Sequence, residues 1–176
     1  MKAISLRGPA GIGKTTIAYA VGRALLQSCP GEKLGYVSAD MFAHVSFDCQ
    51  YTDAEIDFKY ELIRRTVVAL AEGGYSIIFD DTFQRPGDYR SMVSFFKRYG
   101  YDTRLFFLLA PLEVALSRNG SRFWKERISD ARLRMLYALH SGIKFAEETQ
   151  IDTLQPVEYN SELIMTLLRD ERRGVA

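Results

Sequence analysis

Two cysteines, Cys29 and Cys49, and two histidines, His44 and His140, are all that 176 residues hold of either type. That is too little for a disulfide framework, and no Cys/His zinc cluster can be composed from it. A reducing, cytoplasmic compartment is the expectation. Charge of one sign is missing as well. With 23 Lys and Arg against 22 Asp and Glu, the net charge is +1, and no global basic field points to nucleic acid as partner. Long apolar runs are missing too. The longest, Leu105 to Ala110, is far short of the roughly 20 residues of a membrane span, and the opening MKAISLRG has no apolar stretch of signal-peptide length. No membrane association is expected. No repeat, linker or low-complexity tract divides the chain, so one domain over residues 1–176 is expected.

What is present is a core's worth of apolar side chains, 47% of the sequence, arranged in two alternating patterns. Short apolar runs bounded by turn signals predict strands at Ala3–Leu6, Leu34–Val37, Ser76–Phe79, Arg104–Leu109 and Thr149–Ile151. Helical periodicity predicts helices at Thr15–Leu26, Ala54–Ala71, Tyr89–Tyr99, Leu112–Asn119, Ile128–His140 and Pro156–Leu168. In the second of these Ile56, Tyr60, Ile63, Val67 and Leu70 fall on one face. Such alternation predicts an α/β fold, a mostly parallel sheet with helices on both faces, and places ligands beyond the carboxyl ends of the strands.

The first such end carries Gly8-Pro9-Ala10-Gly11-Ile12-Gly13-Lys14-Thr15, a complete G-x-x-x-x-G-K-[ST] phosphate loop between a predicted strand and a predicted helix. Glycine lets backbone amides turn inward around a phosphate, and the helix N-terminus favours negative charge. Gly8, Ala10, Gly11, Ile12, Gly13, Lys14, Thr15 and Thr16 are therefore the predicted ATP-binding residues. Lys14 reaches the β- and γ-phosphates, and the Thr15 hydroxyl is placed to ligate Mg²⁺.

The other strand ends bear on the reaction. Asp40 follows the second strand at the same sheet edge, where it either orients an acceptor hydroxyl and takes its proton or caps the turn at Met41-Phe42. Asp80 and Asp81 follow the third. Asp80 is the better candidate for Mg²⁺, and Asp81 either faces substrate or closes a turn. Phe42, His44 and Arg85 complete the candidate acceptor side, with His44 a bystander because Asp40 already fills the base's role. Beyond the fourth strand, Ser117 to Arg127 is dense in cations. Arg118 and Arg122 either clamp the transferred phosphoryl group from a lid over about residues 118–134, or form a solvated face. Ile151 to Pro156 runs from the last strand into the last helix and is expected to wrap an adenine.

The phosphate loop, Asp40, the segment IIFDDTFQRPGDYRSM and the segment LFFLLAPLEVALSRNGSR together resemble the P-loop kinases that include O-phosphoseryl-tRNA kinase, polynucleotide 5′-kinase, zeta toxin and chloramphenicol phosphotransferase. Similarity to the tRNA kinase lies in Asp80-Asp81, Arg90, Pro111-Leu112-Glu113, Arg118-Asn119 and Arg122. The resemblance spans residues 3 to 125 and implies a P-loop NTPase fold, with five parallel strands in the order 2-3-1-4-5 and a catalytic carboxylate at Asp40, to which the cation-dense segment adds an arginine-rich lid. Its departures bear on substrate. Gln84 to Gly87 loosens the segment before Arg90, and with the sequence ending at Ala176 the RNA-binding region those tRNA kinases carry is not expected. The expected activity is transfer of the γ-phosphoryl group of ATP to a hydroxyl of a small molecule, with Lys14, Asp40, Arg118 and Arg122 catalytic and Thr15 and Asp80 at the metal. A kinase for an RNA, nucleotide or aminoacyl-tRNA hydroxyl, and a regulatory P-loop ATPase without an acceptor, are the alternatives.

Overall fold

The computed structural model describes residues 1–43, 45, 50–83, 85–123, 127–141 and 145–170. Strands β1 (Lys2–Arg7), β2 (Leu34–Ser38), β3 (Ser76–Asp81), β4 (Asp102–Leu109) and β5 (Thr149–Asp152) form one sheet in the order β2-β3-β1-β4-β5. Every neighbouring pair is parallel. The implied topology is therefore observed. Helices α1 (Lys14–Ser28), α2 (Ala39–Ala43), α3 (Asp53–Glu72), α4 (Pro86–Arg98), α5 (Leu112–Gly120), α6 (Asp130–Ser141) and α7 (Val157–Asp170) connect and cover the strands. Among the described residues, no helix is long and apolar enough to cross a membrane.

Alternation along the strands sorts the core into two layers. Ile4, Leu6, Ile78, Phe106, Leu108 and Ile151 pack with the apolar faces of α1 and α7. Ala3, Val37, Ile77, Phe79 and Leu105 point the other way, onto Ile56, Tyr60, Ile63 and Val67 of α3 and onto Met92 and Phe96 of α4. The helical stripe read on α3 is thus its buried face. A capping box starts that helix: Thr52 Oγ1 accepts from the Glu55 amide at 3.3 Å, and the Glu55 carboxylate accepts from the Thr52 amide at 2.9 Å.

Several boundaries differ from the sequence reading, each for a local reason. Strand β3 runs through Asp80 and Asp81, which pair in register with Leu6 and Arg7 of β1; the acidic pair belongs to the strand instead of following it. Helix α4 starts at Pro86, three residues earlier than expected, because proline's fixed φ suits the first helical position. Helix α2, five residues long, is too short to show a period, and it carries Asp40.

Candidate active site

Between Arg7 and Lys14 the chain turns from β1 into α1 with almost no room for side chains. A Cβ on Gly8 would overlap the Leu108 carbonyl oxygen and stand 2.5 Å from Ile12 Cδ1. Gly13, the residue before α1, has φ +95°, in the left-handed region that glycine tolerates. It offers no side-chain cap, and the first turn of α1 holds no acidic residue. The amides at this helix start are therefore left to a ligand acceptor, the arrangement that suits a phosphate. Lys14 Nζ curls back over the loop and donates to the Pro9 carbonyl at 2.9 Å.

Strand alternation divides the two aspartates. Asp80 points toward α1, where its Oδ2 accepts from the Thr15 hydroxyl at 2.7 Å and from the Tyr36 hydroxyl at 3.0 Å. Burial, reinforced by the Asp80 charge, pushes the Tyr36 phenol up to about 12 and keeps it a donor. Asp81 points to the opposite face. Its Oδ2 accepts from the Tyr60 hydroxyl at 2.6 Å and its Oδ1 from the Phe83 amide at 3.2 Å, so it closes the turn after β3 and anchors α3. Burial raises its pKa above the usual carboxylate range, against the opposing pull of Lys59 and of both hydrogen bonds.

The remaining predicted residues separate into those at the loop and those away from it. Asp40 is the second residue of α2, exposed at the end of β2, and its charge is near enough to raise the Asp81 pKa further. Phe42 packs against the layer formed by α3 and α4. His44 lies outside the described residues. Arg85 is held by three carboxylates, Asp88 at 2.7 Å, Asp57 at 2.5 Å and Asp53 at 3.3 Å, tying the start of α4 to α3. Arg118, in the last turn of α5, does reach the phosphate loop. Its Nη1 donates to the Ile12 carbonyl at 3.0 Å and its Nη2 to the Thr153 carbonyl at 2.8 Å. Arg122 lies just past α5, exposed, with its carbonyl accepting from Arg127 Nε at 2.8 Å. Of the residues read as a lid, 124–126 lie outside the described ones.

A cluster that sequence reasoning missed supports the loop from below. Arg7, the last residue of β1, is 1% exposed. Its guanidinium makes a fork to Glu148, Nε to Oε1 at 2.7 Å and Nη2 to Oε2 at 2.6 Å, and lies 4.2 Å from the Phe107 ring centroid. Arg7 Nη1 and His140 Nδ1 are 3.1 Å apart. Because the guanidinium can only donate, Nδ1 accepts and the imidazole proton sits on Nε2. The only signal in the sequence was a charge adjoining a buried strand.

Two outcomes are expected from this cluster. Glu148→Ala leaves the Arg7 charge buried without its fork and should lower unfolding free energy by about 3–5 kcal/mol in urea titrations. His140 behaves differently. Burial, then the charges of Arg7 and Lys14, push its pKa down to about 3. Between there and the ordinary histidine value near 6.5, the unfolded chain takes up a proton that the folded chain refuses. Stability should therefore fall as pH drops through that window, by about 1.4 kcal/mol per pH unit, and show no histidine contribution above it. His140→Gln keeps an acceptor for Arg7 and should remove this one-proton slope; an unchanged slope would assign the acid sensitivity elsewhere.

The comparisons with known proteins agree with this geometry. The family model of the AAA domain matches residues 4–143, which include the phosphate loop, both aspartates of β3 and Arg118. The chain belongs to that family. No curated protein matches the sequence. Among solved structures, a sugar kinase from Janibacter sp. superposes with a TM-score of 0.70 at 22% identity, over 96% of this chain and 94% of that one. A gluconokinase from Sinorhizobium meliloti gives 0.69 at 12%, over 98% and 96%. The Mycobacterium tuberculosis APS kinase in complex with AMPPNP and APS gives 0.68 at 15%, over 96% and 98%. At these identities the likeness is one of fold. The fold is that of the P-loop kinases.

Proposed function

We propose that this AAA-domain protein is an ATP- and Mg²⁺-dependent kinase that transfers the γ-phosphoryl group to a hydroxyl of a small molecule. The observation that carries the reading is the 2.7 Å hydrogen bond between the Thr15 hydroxyl and the Asp80 carboxylate at the start of α1. It gathers two hard oxygen donors where the phosphates would lie. Among the described residues, no group of three or more His, Cys, Asp or Glu side chains could hold a metal. Mg²⁺ suits this sparse set, because it commonly binds one or two carboxylates together with substrate phosphates. Thr15 and Asp80 would hold the ion, which would supply positive charge to offset the charge on the phosphates.

The protein's own groups have separate tasks. Backbone amides of Gly8 and of Ala10 to Thr16 cradle the phosphates, and Lys14 exchanges the Pro9 carbonyl for β/γ oxygens. Arg118 fixes the Ile12 side of the loop against Thr153, beside which the adenine rests. Asp40 holds the acceptor hydroxyl and receives its proton. Arg122, exposed beyond α5, supplies a cation to the transferring group from the lid side. Localisation in the cytoplasm belongs to the same proposal, in keeping with the half-buried free thiol of Cys29.

The test is ADP release measured across a panel of hydroxyl compounds. A kinase shows release that rises with one acceptor and saturates. Slow hydrolysis indifferent to every alcohol would instead support the regulatory ATPase.

A further inference from the structure

We infer that the acceptor is an alcohol with an uncharged, apolar body, and that this body seats in a cavity bordered by Pro9, the end of β4 and one face of α6. The inference rests on the kinase reading and adds the chemical class of the substrate.

The cavity's position follows from the two ends of the phosphate loop. The Lys14 ammonium, the group that serves the β- and γ-phosphates, lies on the Pro9 carbonyl. Pro9 therefore marks the γ end. The Ile12 carbonyl, farther along the loop, accepts from Arg118, which also donates to the Thr153 carbonyl after β5. A cavity of about 270 Å³ opens beside Pro9. Strand order then sets the reach of each group. Because β1 lies between the β2–β3 pair and β4, Asp40 approaches a hydroxyl above the loop from the β2 side. The cavity receives the rest of the acceptor from the β4 side.

The walls define the chemistry. Phe107, Leu109 and Ala110 come from β4 and its end, Tyr137 and His140 from α6. Tyr137 spends its hydroxyl on the Ala110 carbonyl at 2.9 Å, so its ring is what it offers. His140 is kept uncharged by burial and by the nearby Arg7 and Lys14 charges. Arg7, behind it, is matched by Glu148. Gln150, exposed on β5, completes the lining among the described residues. Among the described residues this wall holds no charged side chain; such a wall does not compensate the desolvation of a phosphate or carboxylate, and it rewards an apolar body. Benzene fills a cavity of about 150 Å³, so this one holds a ring with a short carbon chain. The transfer balances without a further reactant. The acceptor oxygen bonds to the γ-phosphorus, the bond from that phosphorus to the β–γ bridging oxygen breaks, ADP leaves, and the hydroxyl proton goes to Asp40.

The experiment uses primary alcohols of three kinds: an arylalkyl series with chains of increasing length, polyols including hexoses, and phosphate-bearing nucleosides. ADP release and phosphate-ester formation are followed for the full chain and for Gln150→Trp. That variant places a large ring at the cavity mouth, on a strand that accommodates aromatics. We expect kcat/KM for the arylalkyl alcohols to exceed that of the other two kinds by about 10-fold or more. Each added methylene should raise it further until the cavity is full, since one methylene in an apolar pocket is worth about 10- to 200-fold. Gln150→Trp should erase the preference. Equal or better use of polyols or phosphate-bearing alcohols overturns the inference while leaving the kinase reading in place. A preference for arylalkyl alcohols that Gln150→Trp leaves intact overturns the placement of the acceptor in this cavity. Should no alcohol of any kind accelerate ADP release, the kinase reading fails and the inference with it.

Discussion

Lys14→Ala should reduce ATP turnover by at least about 10³-fold, the lower end of what a cation stabilising the transferring phosphoryl group contributes. The structure gives two reasons to expect this loss without loss of the fold. Lys14 makes one hydrogen bond, to Pro9 within its own loop, and alanine is a good residue for the first position of α1. The melting temperature should therefore stay within a few degrees, on the order of what one solvent-competed hydrogen bond is worth. Glycines 8, 11 and 13 remain, so the backbone cradle survives while the positive charge at the β/γ oxygens does not. Steady-state ADP release alongside thermal denaturation checks both halves. Turnover near wild type would remove the basis for placing the triphosphate in this loop.

Asp40→Asn should lower phosphoryl transfer by about 10²–10⁴-fold, the range expected when general-base help is lost. The substitution is nearly isosteric at an exposed position of α2. It also removes a charge that raises the Asp81 pKa, so relief of like-charge repulsion opposes any stability loss. Nucleotide affinity should be close to wild type, because the proposed phosphate contacts lie in the loop from Gly8 to Thr16 and not at Asp40. A drop in kcat at constant KM for ATP is the signature of a group acting in the transition state. Should the variant lose stability while each folded molecule keeps full activity, Asp40 is a structural residue of the β2–α2 turn.

How much of this was legible in the sequence varies with how local each feature is. The phosphate loop could be read completely, since its glycines, its lysine and its threonine are contiguous and each answers a backbone or charge requirement of one ligand. The helical stripe from Ile56 to Val67 was legible for the same reason. The preference for Asp80 over Asp81 at the metal could be read, but its cause could not, because two adjacent acidic residues look alike until it is known that β3 continues through both. Once it does, alternation must send them to opposite faces. Long-range pairings were hidden altogether. Arg7 and Glu148 are 141 positions apart, and Arg118 meets Thr153 only because β5 lies beside β4. Arg85 could be singled out as a cation near the acidic pair, yet the three carboxylates that hold it come from two helices, and no single window of sequence contains them all.

What separates the proposed kinase from an ATPase is whether the γ-phosphoryl group goes to an alcohol or to water. Phosphorus NMR of the products formed from ATP, Mg²⁺ and an acceptor reads that choice directly. A kinase gives a phosphate-monoester resonance that grows in step with ADP, requires the acceptor, and disappears in Lys14→Ala. Inorganic phosphate equal to ADP, at a rate no acceptor changes and Asp40→Asn does not alter, would contradict the kinase reading.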